Sequence, residues 1–186
     1  RRAVQLQVTA EVASESASIR ELERLLNHTV HLISERFDFY HSGIFLIDTQ
    51  GEYAVLRAAS SEGGQRMLAR KHRLQVGQTG IVGYVADKGE SRVALDVGQD
   101  AIYFNNPDLP QTRSEAALPL KVRGQIIGVL DVQSTLAAAF TPEDVQILQV
   151  LADQIALAID NARLFDENRQ SLSELQSLYR TQVRKA

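Results

Sequence analysis

Cysteine is absent from all 186 residues. That absence removes disulfides, thiolate metal ligands, cysteine nucleophiles and thioether-linked chromophores together. Long hydrophobic runs are absent too. No stretch approaches the ~18 apolar residues of a membrane span, and no signal peptide is visible. Neither charge sign dominates: 20 Lys and Arg face 23 Asp and Glu, a net charge of −3. A field that weak points to neither nucleic acid nor an anionic membrane as partner. What is present is ordinary for a globular chain, with 44% apolar and 23% charged residues. The length suits one domain with extensions. The expected setting is the cytoplasm. Because Arg1 falls inside a helix-like stretch, the chain is expected to be part of a larger protein.

The most informative stretch is Ser114 to Ser134, SEAALPLKVRGQIIGVLDVQS. Two apolar runs flank Arg123-Gly124, which predicts a central hairpin with Gly124 as the positive-φ turn residue. Before it, Val4, Val8 and Val12 give a thin helical stripe to about Glu15. SESAS (14–18) is read as a break, with Ser18 and Glu21 as a capping box for a second helix, Ile19 to about Arg36. Leu22, Leu26, Thr29, Val30, Ile33 and Phe37 fall on one face of that helix. Tyr40–Asp48 reads as a strand covered on both sides, and Tyr53–Ala59 as a second. A short helix around Gln65–Ala69 and a strand near Arg73–Val76 follow. Thr79 is the expected cap of a helix over Gly80–Lys88, stopped by Gly89. Gly77, Gly80 and Gly83 lack the Lys-Ser or Lys-Thr of a phosphate loop, so close packing on the sheet explains them better. A strand at Ser91–Leu95 leads into a long loop, Asp96–Thr112, a length usual for lids and binding loops. Phe140-Thr141-Pro142-Glu143-Asp144-Val145 marks a helix start, with Thr141 as cap, Pro142 at the first position and Asp144 closing the box. That helix buries Leu148, Leu151, Ala152, Ile155, Ile159 and Ala162. It then thins to Leu172, Leu175, Leu178 and Tyr179.

These pieces, in this order, resemble the GAF domains of bacterial sensor kinases, phosphodiesterases and transcription activators. The resemblance spans roughly Ser18 to Asn161. It rests on LLNHTVHLISERF with YHSGIFLID, on VGQTGIVGYVADKGE, on the hairpin, and on FTPEDVQILQVLADQIALAIDNARLF. It implies an α+β fold: a central antiparallel sheet of about six strands, terminal helices on one face, and a short helix plus long loop over a ligand pocket on the other. The implied division is a linker helix (1–17), the GAF domain (18–163) and a second linker helix (164–186).

The resemblance also frames the chemistry. Bilin attachment needs a cysteine, and so do the free-methionine-sulfoxide reductases of this fold. The cyclic-nucleotide signature lacks its Asn-Lys and Asp-Glu pairs; Phe104-Asn105-Asn106 and Ser114-Glu115 are its only echoes. His28, His31, His41 and His72 are scattered, and none lies in the loop where a haem ligand is sought. No cofactor and no metal is therefore expected. Asp131 and Arg57 interrupt strands; each is read as a hydrogen-bonded or edge residue rather than a pocket group. If a ligand binds, the expected contacts are Tyr84, Tyr103, Phe104, Arg113 and Ser114. The opposing reading has Tyr103, Phe104 and Leu109 plugging the site. The expected function is a non-catalytic sensory module, cut from a larger signalling protein such as a histidine kinase. It would relay occupancy by an unknown small molecule to neighbouring domains. Val4, Val8, Val12, Leu172, Leu175 and Tyr179 form the expected homodimer seam. The alternative is a ligand-free dimerisation and relay module.

Overall fold

A computed structural model describes residues 2–100 and 102–185, with the side chains of 2–19 and 185 outside the described set. Val4, Val8 and Val12 lie among those undescribed side chains. Two compact units are present: Leu25–Leu157, and Arg1–Arg24 with Ala158–Ala186.

The larger unit is built on six strands: β1 (His41–Ile47), β2 (Tyr53–Ala59), β3 (Arg73–Gln75), β4 (Arg92–Ala94), β5 (Ser114–Val122) and β6 (Gln125–Ser134). Their order is β3-β2-β1-β6-β5-β4, with every pairing antiparallel. The β5–β6 hairpin turns on Arg123 (φ 51°) and Gly124 (φ 76°). Two consecutive positive φ values give the turn whose twist matches the flanking strands. β1 and β6 pair along His41↔Gln133 through Leu46↔Gly128, placing both at the centre of the sheet.

Alternation along these strands sorts residues between two faces. Ser42 points to the helical face, where its hydroxyl accepts from Ser34 Oγ at 2.7 Å. Leu26, Val30 and Ile33 of α1 (Arg2–Phe37) and Leu148, Ala152 and Ile155 of α4 (Pro142–Lys185) are buried in this unit. The opposite face carries His41, Gly43 and Phe45. Above it sit α2 (Glu62–Ala69), α3 (Gly80–Lys88) and the 96–113 segment. Its core joins Phe45, Leu56, Met67, Leu74, Ile81, Val85 and Leu109.

The start of α4 is the reciprocal box expected: the Asp144 N–H donates to Thr141 Oγ1 and the Thr141 N–H to Asp144 Oδ2, both at 3.1 Å. Gly89 closes α3 at φ 69°. Three expectations need correction. α1 passes through SESAS without a break, so no helix begins at Ser18. Serine in a helix costs only a few tenths of a kcal/mol relative to better formers, and no glycine or proline forces the chain to turn there. Thr79 occupies the cap position of α3 but makes no side-chain cap hydrogen bond. A 3₁₀ turn, Val97–Gln99, lies within the segment read as irregular. Among the described residues, no helix is long and apolar enough to cross a membrane.

Candidate functional site

Strand register gathers four polar side chains on the α2/α3 face. Gly43 pairs with Asp131, His41 with Gln133, and Glu115 with Gln133 from the other side. Residues two apart share a face, so His41, Asp131, Gln133 and Glu115 converge at one end of the sheet. His41 is fully buried, Asp131 is 2% exposed and Glu115 5%. Beside them is a cavity of about 20 Å³, lined by Glu115, Asp131, Gln133, His72, Asn106 and Met67, with apolar walls from Phe45, Leu74, Ile81, Val82 and Phe104. That volume holds a water-sized group.

A polarised chain of hydrogen bonds runs into the site from the loop. The Tyr103 phenol bonds to Thr112. Thr112 Oγ1 donates to Gln133 Oε1 at 2.6 Å, and Gln133 Nε2 donates to Asp131 Oδ2 at 2.7 Å. Among the described residues, neither Asp131 Oδ1 nor His41 Nε2 has a hydrogen-bond partner. The other ring nitrogen, His41 Nδ1, lies 2.7 Å from Ser61 Oγ.

Burial dominates the electrostatics. Glu115 is pushed well above the ordinary carboxyl range, first by burial and then by the neighbouring Asp131. Two carboxylates sharing a dry site ionise together only at high cost, which favours the protonated form of Glu115. Burial lowers His41, with Asp131 opposing. Burial and then Arg70 push His72 down to about 4. Tyr103 is raised to about 12 by burial, then by Glu115 and Asp131. Burial thus favours the protonated form of Glu115 and the neutral forms of His41 and His72.

The loop is strapped down over this end. Asp108 pairs with Arg66 at 3.3 Å and with Arg70. Asn106 Nδ2 donates to Met67 Sδ at 3.4 Å. Gly63 on α2 allows the approach, since a Cβ there would run into the Asp108 carbonyl. His72 stacks on Phe104 with ring centroids 6.5 Å apart.

Of the residues expected to contact a ligand, Phe104 lines the cavity and is 39% exposed. Tyr103 acts through the Thr112 chain rather than from the lining. Leu109, expected as a possible plug, is buried in the core of this face. Tyr84 lies outside the lining, with the Arg92 guanidinium 4.9 Å from its ring centre. Arg113 is a surface residue 3.9 Å from Asp96. Ser114 is buried, and its hydroxyl donates to the Leu136 carbonyl at 2.6 Å. Sequence reasoning missed Glu115 and Gln133. It read Asp131 as a hydrogen-bonded or edge residue rather than a pocket group; Asp131 is hydrogen-bonded, but it stands in a central strand and lines the cavity. Leu172, Leu175 and Tyr179 are exposed. Among the described residues, no cluster of three or more His, Asp or Glu is arranged to hold a metal ion.

A six-stranded antiparallel sheet with helices on one face and a strapped loop over a polar cavity on the other defines a small sensory or regulatory α+β module. The sequence model for the GAF domain matches residues 20–160, and the chain belongs to that family. GAF domain-containing protein A of Dictyostelium discoideum is 30% identical over 141 residues, covering 76% of this chain and 80% of that protein. A dual 3′,5′-cyclic-AMP and -GMP phosphodiesterase 11A of Takifugu rubripes is 32% identical over 105 residues, 53% of this chain. Free methionine-R-sulfoxide reductase of Escherichia coli is 52% identical over 44 residues, 24% of this chain. The chain spans only 12% of that phosphodiesterase and 27% of that reductase. Among solved structures, the GAF domain of a Coxiella burnetii phosphoenolpyruvate-protein phosphotransferase superposes with a TM-score of 0.69 at 25% identity, covering 77% of this chain and 84% of that one. The Neisseria meningitidis free methionine-R-sulfoxide reductase, in complex with its substrate, gives 0.68 at 26% identity, covering 77% and 80%.

These reductases correct one expectation. The domain was read as non-catalytic because it lacks thiols, but its neighbours in sequence and structure include an enzyme built on this fold. Missing cysteines exclude thiol chemistry only, and a buried acid pair beside a cavity is itself a group capable of proton transfer.

Proposed function

We propose that this GAF domain senses a small molecule at the cavity under residues 96–113 and relays occupancy through its terminal helices to a larger signalling protein. The observation that carries the reading is the buried Asp131–Glu115 pair, with an acceptor left for a donor from the cavity and a hydrogen-bond chain back to the loop. A buried acceptor without a partner costs about 1–3 kcal/mol, so a ligand that satisfies it gains binding energy. The chain through Gln133 and Thr112 to Tyr103 makes the loop responsive to what happens at Asp131. Strand β6, which carries Asp131, leads on through Thr141 into α4.

The sequence-based expectation placed the module in a sensor histidine kinase. The relatives that carry it include phosphodiesterases and a phosphotransferase, so we propose a larger signalling protein without choosing its output. Domain bounds of 18–163, with dimerising helices at 1–17 and 164–186, belong to the same proposal. A ligand shifts such a relay only by binding its two states unequally.

A thermal-shift screen of nucleotides, amino acids and oxo acids tests it. A compound that raises the melting temperature of the native protein but not of Asp131→Asn supports the site. If none does so at millimolar concentration, the sensing function falls and the relay role stands alone.

A further inference from the structure

We propose that Glu115 and Asp131 hold one exchangeable proton between them, and that the ligand of this cavity presents a primary ammonium group that displaces it on binding. This rests on the small-molecule reading above and adds to it the ligand's charge class and a dependence on pH.

The geometry is that of two acids competing for one donor. Ala117 stands opposite Asp131, and Glu115 is the next residue along on the same face. Such diagonal neighbours lie within reach of long side chains. Among the described residues, neither carboxyl has an ion-pair partner. Gln133 supplies Asp131 Oδ2. Asp131 Oδ1 is left either to a proton on Glu115 or to a donor entering from the cavity. An ammonium head brings three N–H donors and a positive charge. With it in place, both carboxylates can ionise, and Glu115 gives up its proton to solvent. The cavity, about 20 Å³, suits such a head. The rings of Phe45 and Phe104 beside it favour a cation. Phe104 is 39% exposed, so the rest of the ligand has a way out past it.

The groups facing the pair from other elements do not supply the proton. On β1, His41 is buried and neutral. His72 is held low beside Arg70, which is itself paired with Asp108. From the loop, Tyr103 stays protonated, and Asp100 is paired with Arg92 at 3.2 Å. Above about pH 6.5 each keeps one charge state, so a proton released on binding comes from the acid pair.

Calorimetric titration of the full chain with methylammonium chloride tests the proposal, with potassium chloride at equal ionic strength as control. Runs at several pH values in two buffers of different ionisation enthalpy count the protons. The expected result is one proton released and an affinity that rises up to about tenfold per pH unit while the pair is protonated. Glu115→Gln keeps a donor to Asp131 but has no proton to release, so its binding becomes independent of pH; Asp131→Asn abolishes binding. Equal heats with potassium, binding without proton release, or binding that survives Asp131→Asn overturns the proposal. A neutral or anionic compound that raises the melting temperature while methylammonium does not overturns the charge class and leaves the sensing function standing. Failure of every compound overturns both.

Discussion

Replacing Glu115 with glutamine should stabilise the domain at neutral and alkaline pH, and by an amount that grows with pH. Glutamine keeps the shape and the donor to Asp131, and only the ionisable proton is lost. Glu115 is raised above its ordinary value of 4.5 by burial and by Asp131. Its folded value therefore lies above its unfolded one. Below 4.5 both states carry the proton and its contribution is fully present. As pH rises from there toward the folded value, the unfolded state releases its proton and the folded state keeps it. Stability then falls by about 1.4 kcal/mol per pH unit. His72 works in the opposite sense, since its folded value of about 4 lies below the ordinary 6.5. Its contribution is present above 6.5 and lost as pH falls toward 4. Above about pH 6.5 the histidine terms are saturated, so a slope that remains among these groups belongs to Glu115. Urea denaturation of native protein and Glu115→Gln from about pH 5 to pH 8 measures the difference directly. The two curves should meet near pH 4.5 and diverge upward. Each pH unit of divergence amounts to roughly 3–5 °C in melting temperature for a chain of this size. A difference that does not change with pH, or a variant less stable than native at about pH 7.5, would refute the protonated Glu115.

Three further outcomes follow from the same structure. Native protein should lose up to about 3 kcal/mol between pH 6.5 and pH 4 through His72, a loss that His72→Asn removes in denaturant titrations at both ends of that window. Gly63→Ala drives a methyl into the Asp108 carbonyl and should cost about 1–3 kcal/mol. Hydrogen exchange should then speed up at residues 102–112 before it does in β1 or β6; uniform acceleration would deny that the strap is local. Leu148→Ala, in the fully buried part of α4, should cost about 2–5 kcal/mol, whereas joint alanine replacement of the exposed Leu172, Leu175 and Tyr179 should leave denaturation of the larger unit unchanged. If those three form the dimer seam, sedimentation shows the triple variant dissociating at concentrations where the native chain stays paired.

The elements were legible in the sequence wherever the determining signal is local. Arg123-Gly124 between two apolar runs specifies a hairpin, because both residues adopt positive φ there. Thr141, Pro142 and Asp144 specify a helix start through bonds spanning three residues. Where the local signal is weak, it misled. Serine's liking for caps suggested a break at SESAS, yet the preference is small beside the cost of leaving a helix with nothing to satisfy the freed backbone groups.

The candidate site is a different kind of object, because register rather than sequence distance builds it. His41, His72, Glu115 and Asp131 come together only once β6 is threaded between β1 and β5. A one-residue shift of β6 against β1 would turn Asp131 to the helical face, and one of β5 against β6 would turn Glu115 there; either disperses the cluster. Aspartate in a strand is usually a hydrogen-bonded or edge residue, which is why Asp131 in VLDVQ read as one of these rather than as a pocket group. The informative detail is that VLDVQ lies in the second strand of a hairpin whose first strand, SEAAL, carries an acid at a matching parity. With Arg123-Gly124 fixing the register, Val122 faces Gln125; the irregularity between Leu120 and Lys121 then brings Ala117 opposite Asp131. Without that irregularity, counting back from the turn would set Lys121, Pro119 and Ala117 opposite Ile126, Gly128 and Leu130, and Glu115 would lose its same-face relation to Asp131. The bulge between Leu120 and Lys121 is therefore what brings the acids onto one face. Deleting Ile127, the extra residue that this bulge leaves unpaired on β6, should abolish the pH-dependent stability term of Glu115 along with ligand binding, even where the hairpin itself survives.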